Sequence, residues 1–269
     1  MARLTLPELR VYRAWACRLG AGRALATLEE AEAFVHERGL VTLTQSCALP
    51  SLHAAIQEEP LEARGRGFAA YPRTKWWWGG ALAQRPGVLW LKILRGKGLF
   101  LSGRMASLVD PLCRAELAAA DEGAHGEPAR RLAEHLAAAG PSLLDDLRAE
   151  LGLEPAALRA ARTRLERLGA VVAKPIVLES HRHTSELRRW SGVAVSSDGR
   201  DAALVRLVEA GLRAAVLTPE REVHTWFSWP VPPEAVDRLL AEGRAVRLGD
   251  LLAARTAPTD EGFDSVKIV

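Results

Sequence analysis

The stretch PSLLDDLRAELGLEPAALRAARTRLERLGAVVAKPIVLES, Pro141 to Ser180, decides the fold. Leu143, Leu144, Leu147 and Leu151 recur at the spacing of one helix face, which predicts a first helix with that stripe turned to a core. Gly152 ends it. A second helix starts near Glu154 and Pro155, where proline gives up no hydrogen bond, and turns Leu158, Ala161, Leu165 and Leu168 inward. Val171-Val172, then Lys174-Pro175, then Ile176-Val177-Leu178 read as two short strands about a turn. Helix, helix, hairpin, preceded by the helical EPARRLAEHLAAA of Glu127 to Ala139, is the grammar of a winged helix.

The face of the second helix away from its leucines holds Arg159, Arg162, Thr163, Glu166 and Arg167. A helix in that position can enter a major groove, where arginine pairs with guanine and any cation gains phosphate contacts. The alternative is a charged face that only meets water. The nucleic-acid reading also takes in Lys174 of the hairpin and the His181-Arg182-His183 run, as a wing carrying polar side chains toward DNA. Two histidines at that spacing with Glu179 and Glu186 also suit a metal, but no third strong ligand stands beside them, so no metal or cofactor is expected.

The rest of the chain sets bounds. It has 269 residues, 48% hydrophobic and 26% charged, with a net charge of +3, which fits a globular protein with a mild preference for polyanions. MARLTLPELR lacks the apolar run of a signal peptide, and no stretch approaches the roughly 18 apolar residues of a membrane span, so a cytoplasmic protein is expected. Cys17, Cys47 and Cys113 are widely spaced and read as small buried thiols.

The first half repeats the pattern of the centre. A helix over Pro7 to Leu19, another after Thr27 and a third capped by Ser51 precede a charged, glycine-containing loop from Gln57 to Arg73. VLWLKIL (Val88 to Leu94) and LFLS (Leu99 to Ser102) flank Arg95-Gly96-Lys97-Gly98, a hairpin whose basic four-residue tip suits a phosphate, or is a solvated turn; Ser102 then caps a helix. Trp76, Trp77 and Trp78 cannot share one face, so at least one is exposed or lies at a lobe junction. Packing between lobes and stacking on bases are both open to them.

Ala118 to Gly126 reads as a boundary and Ser191 to Arg200 as a linker. From Asp201 the pattern restarts as helices, PPEAVDRLLAEG and the strand AVRL, with an acidic second helix and Trp226, Phe227 and Trp229 as core. The predicted class is mainly α with small β-hairpins (α+β), as tandem winged-helix units over 1–117, 127–190 and 200–255.

Phe34-Val35, Gly39-Leu40, Leu49-Pro50-Ser51-Leu52, the tryptophan run, and Trp90 through Lys97 with Phe100-Leu101-Ser102, followed by tandem winged helices, resemble the AlkZ-like DNA glycosylase superfamily. The resemblance implies three winged helices around a concave, DNA-sized channel, and double-stranded DNA as partner. Its characterised members carry a catalytic pair, glutamine, an apolar residue, then glutamine or aspartate, on the strand after the second helix. Here those positions are Thr42-Leu43-Thr44. Hydroxyls orient water and stabilise developing sugar cation poorly, and Gln45 on a regular strand points away from Thr44. Thr42, Thr44 and Gln45 are thus the candidates for any displaced catalysis, with Glu37 as a substitute carboxylate. The leading expectation is a non-catalytic DNA-binding protein for damaged or distorted DNA; the alternatives are a glycosylase with a moved catalytic group and a protein-interaction module.

Overall fold

The computed structural model describes residues 5–62, 64–180, 182–192 and 199–255. The chain opens with α1 (Leu6–Ala16), where the Thr5 hydroxyl accepts the Glu8 N–H and the Glu8 carboxylate accepts the Thr5 N–H. Next come α2 (Leu28–Arg38), β1 (Leu40–Thr42), α3 (Leu52–Ile56), α4 (Arg73–Leu82), β2 (Val88–Leu94) and β3 (Lys97–Ser102). Thr27 caps α2 by accepting the Glu30 N–H at 3.2 Å, a contact whose loss costs about 1 kcal/mol. Helix α5 (Ala106–Asp121) leads to α6 (Glu127–Ala139), β4 (Ser142–Leu143), α7 (Leu144–Glu150), α8 (Pro155–Arg167), β5 (Val171–Val177) and β6 (His183–Arg189). The last set is α9 (Arg200–Ala215), β7 (Thr218–Pro219), α10 (Glu220–Val223), α11 (Glu234–Ala241), β8 (Ala245–Leu248) and β9 (Leu251–Ala254).

One topology occurs three times in this mixed α+β chain. The three sheets have the orders β1-β3-β2, β4-β6-β5 and β7-β9-β8, all antiparallel. Each set runs helix, short strand, two helices, hairpin, and the hairpin's second strand is central. A continuous apolar cluster joins all three, from Leu40 and Ile93 through Leu147 and Leu165 to Leu207, Trp226 and Leu252. A smaller cluster, with Phe34, Leu52, Leu82 and Phe100, fills the far side of the first set. The sets are also tied by polar bonds: the Ser228 N–H donates to the Ile93 carbonyl at 2.8 Å, and Arg38 donates to the Arg213 carbonyl at 2.8 Å.

Several sequence expectations change. Leu143 lies in β4, so the leucine stripe is shared between a strand and α7. Lys174-Pro175 is no turn: β5 runs straight through it, with Pro175 opposite Ser185, and the chain reverses between Val177 and His183. Strand β5 is at the sheet edge, where a proline's missing donor need not break the ladder. Ala118 to Asp121 is the last turn of α5 rather than a boundary, which shrinks the connector to residues 122–126. Ser102 makes no side-chain cap; a short 3₁₀ turn, Gly103–Met105, precedes α5. Most of the expected linker, residues 193–198, and the tail from residue 256 lie outside the described residues.

Candidate nucleic-acid interface

Helix α8 presents two different surfaces. Leu158, Ala161 and Leu165 are buried, as their spacing requires, and so is Glu166. The Glu166 carboxylate accepts from Arg162 Nε at 2.7 Å and from Lys92 Nζ at 2.6 Å, because this edge of α8 packs on β2. Arg162 also reaches the Ser185 hydroxyl at 3.3 Å. Arg162 and Glu166 therefore leave the expected reading face and brace the joint between the first and second sets. A carboxylate this buried is tolerable only with such partners.

What remains outward is Arg159, Thr163, Arg164 and Arg167, interleaved with Ala156 and Ala160. With His125, Pro128 and Ser228 they line a groove of about 710 Å³ that has no carboxylate in its wall. Arg159 and Arg167 have no carboxylate partner among the described residues. Arg164, absent from the face read from sequence, directs Nε at His125 Nδ1 at 3.4 Å. The small alanines let a polymer backbone approach while the guanidinium groups reach past them.

The hairpin tip of the first set adjoins this groove. Arg95 and Gly96 have φ of 54° and 84°, the backbone of a two-residue hairpin turn, so the tip is two residues and Lys97 already belongs to β3. A Cβ on Gly96 would lie 3.2 Å from Arg167 Cγ. Arg95 and Lys97 are exposed, so they and Arg167 add charge to one rim.

The other expected contact residues go elsewhere. Lys174 and His183 line a second cleft of about 1180 Å³, between α4 and the β5–β6 hairpin, together with Trp76, Trp77 and Trp90. Gln84 Nε2 donates to the Pro175 carbonyl at 2.8 Å and fastens α4 to that hairpin. His181 lies outside the described residues. The three tryptophans sit on three sides of α4: Trp78 packs on the first set's core, Trp76 is half-buried, and Trp77 is 81% exposed. Behind Trp76 the Lys75 ammonium is buried without a hydrogen bond, 3.2 Å from the Tyr71 ring centroid and 3.6 Å from that of Trp76. Burial lowers its pKa to about 8, and cation–π attraction holds it where no described residue supplies an anion.

The catalytic candidates are not assembled. Thr42 is 1% exposed and its hydroxyl donates to the Pro50 carbonyl at 3.1 Å, so it faces the packed interior. Strand β1 stops there. Leu43 packs toward Gly79, where a Cβ would come within 2.9 Å of Leu43 Cδ1, and it reaches the tryptophan cleft. Thr44 is half-buried and Gln45 exposed, both beyond the strand, so the alternation expected of them does not apply. Glu37 pairs with Arg18 at 3.2 Å and lines neither groove. Among the described residues no group of three His, Cys, Asp or Glu could hold a metal, and no helix is long and apolar enough to cross a membrane. No protein-family model, curated protein or solved structure matches the chain.

Proposed function

We propose that the three repeated units are winged helices and that the chain binds double-stranded DNA through the outward face of α8, without cleaving a glycosidic bond at the Thr42 strand. The observation that carries the reading is the groove whose wall holds Arg159, Arg164 and Arg167 and no carboxylate. The order helix, strand, helix, helix, hairpin, with the hairpin's second strand central, supports the fold name. In that fold α8 is the helix that follows the turn and enters the major groove. Arg159 and Thr163 lie one turn apart for base edges, while Arg167, Arg95 and Lys97 at the rim suit phosphates. The rim contacts would give affinity that falls with salt.

Excision needs a group beside the anomeric carbon that activates water and tolerates developing positive charge. Thr42 spends its hydroxyl on Pro50, and Gln45 stands outside both grooves. The test is to incubate excess protein with duplex DNA carrying alkylated or crosslinked bases, then cleave any abasic site with alkali. Binding without strand cleavage is expected. Product that disappears in a Gln45→Ala variant overturns the non-catalytic reading, and no binding to duplex DNA at low salt overturns the reading as a whole.

A further inference from the structure

We infer that the cleft between α4 and the β5–β6 hairpin takes one unpaired nucleobase of a bound DNA, stacked on indole and with its phosphate on Lys174. The inference rests on the DNA-binding reading and adds a second, structure-selective site to it.

The walls of the cleft are unlike. One side offers the indoles of Trp76, Trp77 and Trp90, and the other Lys174 with Arg188 and Glu186, which pair with each other. Trp77, at 81% exposed, leaves most of its ring open to a flat partner. Trp76 is the fixed wall: Tyr71 meets it edge-on at 5.7 Å and the Lys75 ammonium lies against it. Trp90 is also held, packed on Phe100 at 4.5 Å between ring centroids and lying across Gly98, where a Cβ would collide with Trp90 Cη2 at 1.8 Å. Gly79 and Gly80 leave the α4 wall between these rings without side chains. The volume of about 1180 Å³ lies a little above the ~300–1,000 Å³ usual for small-ligand sites, so a nucleotide fits and a duplex does not.

Charge selects a nucleotide over a purely apolar guest. Lys174 has no carboxylate partner among the described residues, and it stands opposite the indoles. Arg188 is held by Glu186 on the same strand, and Lys92 by Glu166, so Lys174 is the cation left for a phosphate. Aromatic rings with an adjacent free cation are the pairing by which single-stranded nucleotides are held without sequence preference. A base reaches such a site only when it is out of the stack, which is least costly at a bulge or mismatch.

The experiment compares two duplexes of equal length, one fully paired and one with a single extrahelical adenine. The wild-type chain should bind the bulged duplex about tenfold more tightly, the gain that roughly 1.4 kcal/mol of stacking gives. Trp77→Ala should abolish that preference and leave the paired duplex unaffected, while Trp77→Phe should keep part of it. Arg159→Ala with Arg167→Ala should weaken both duplexes by the same factor and preserve the ratio. Equal wild-type affinity for the two duplexes, or a preference that survives Trp77→Ala, overturns the base site alone. Absence of binding to either duplex overturns the DNA reading and this one with it. Trp77 is exposed, so its variants do not disturb the core, and circular dichroism of each confirms the fold.

Discussion

Helices α8 and α11 hold the same place in two copies of one topology, yet they present opposite surfaces. The outward side of α8 combines Arg159, Arg164 and Arg167 with alanines. That of α11 shows Glu234, Asp237 and Arg238, and Arg238 is paired with Glu242 at 2.8 Å. The nearby hairpin cation Arg247 bonds Glu220 at 2.6 and 2.7 Å, which also holds the Glu220 carboxyl below its usual range. Helix α4, the third member, turns Trp77 outward and keeps Lys75 inside. A repeated fold thus fixes where a helix stands, and the outward residue types decide what it meets.

The sharpest break in this comparison comes from removing the α8 cations. Arg159→Ala, Arg164→Ala and Arg167→Ala together should lower affinity for duplex DNA about a hundredfold at low salt, taking roughly 1 kcal/mol per contact. Fluorescence anisotropy with a labelled duplex measures it, and a folded triple variant that binds normally removes α8 from the account.

The buried cation of α4 gives a comparable effect on stability. Lys75 has its pKa lowered from 10.5 to about 8 by burial, so between those pH values the unfolded chain keeps a proton that the folded chain has lost. Stability therefore rises with pH through that window, and the burial penalty is full below it. Lys75→Met should remove the rise, which is on the order of 3 kcal/mol at most. Urea titrations of both chains across the window check it, and parallel pH profiles contradict the placement of Lys75.

Arg162→Ala separates bracing from reading on one helix. It should cost about 2 kcal/mol of stability by stripping one partner from buried Glu166, and leave the salt dependence of DNA binding unchanged. A loss of binding at unchanged stability would return Arg162 to the reading face.

These contrasts also show how far the residues could be read in advance. Leucine periodicity places α7 and α8 because Leu147, Leu158 and Leu165 are buried at that spacing, although Glu166 shares the buried side of α8. Strand β6, HTSELRR, is not legible in the sequence because it is polar and half-exposed, recognisable only beside β5. Strand β9, LLAA, is only four residues long and becomes a strand through its pairing with β7 and β8. Glu166 looked like an outward charge since it follows Leu165 by one position; its burial depends on Lys92, far off in sequence. The tryptophan cleft is illegible for the same reason, since Trp77 and Lys174 line one cleft only once two units pack.

Two smaller effects refine the comparison. Arg95→Ala with Lys97→Ala should weaken duplex binding several-fold through lost phosphate contacts, less than the α8 variant. Glu234→Gln with Asp237→Asn on α11 should change affinity by less than about twofold, because an acidic helix face is a poor partner for a polyanion. A large gain on neutralising α11 would show that it does.

The most direct measurement is the slope of log affinity against log salt for the wild-type chain and the α8 triple variant. Each phosphate neutralised adds roughly 0.9 to the magnitude of that slope through counterion release. If Arg164 and Arg167 meet phosphates and Arg159 a base edge, the triple variant's slope should be shallower by about 2, while the α11 double variant keeps the wild-type value. An α8 variant with the wild-type slope, or an α11 variant that loses slope, contradicts the assignment of the α8 groove as the DNA-binding face.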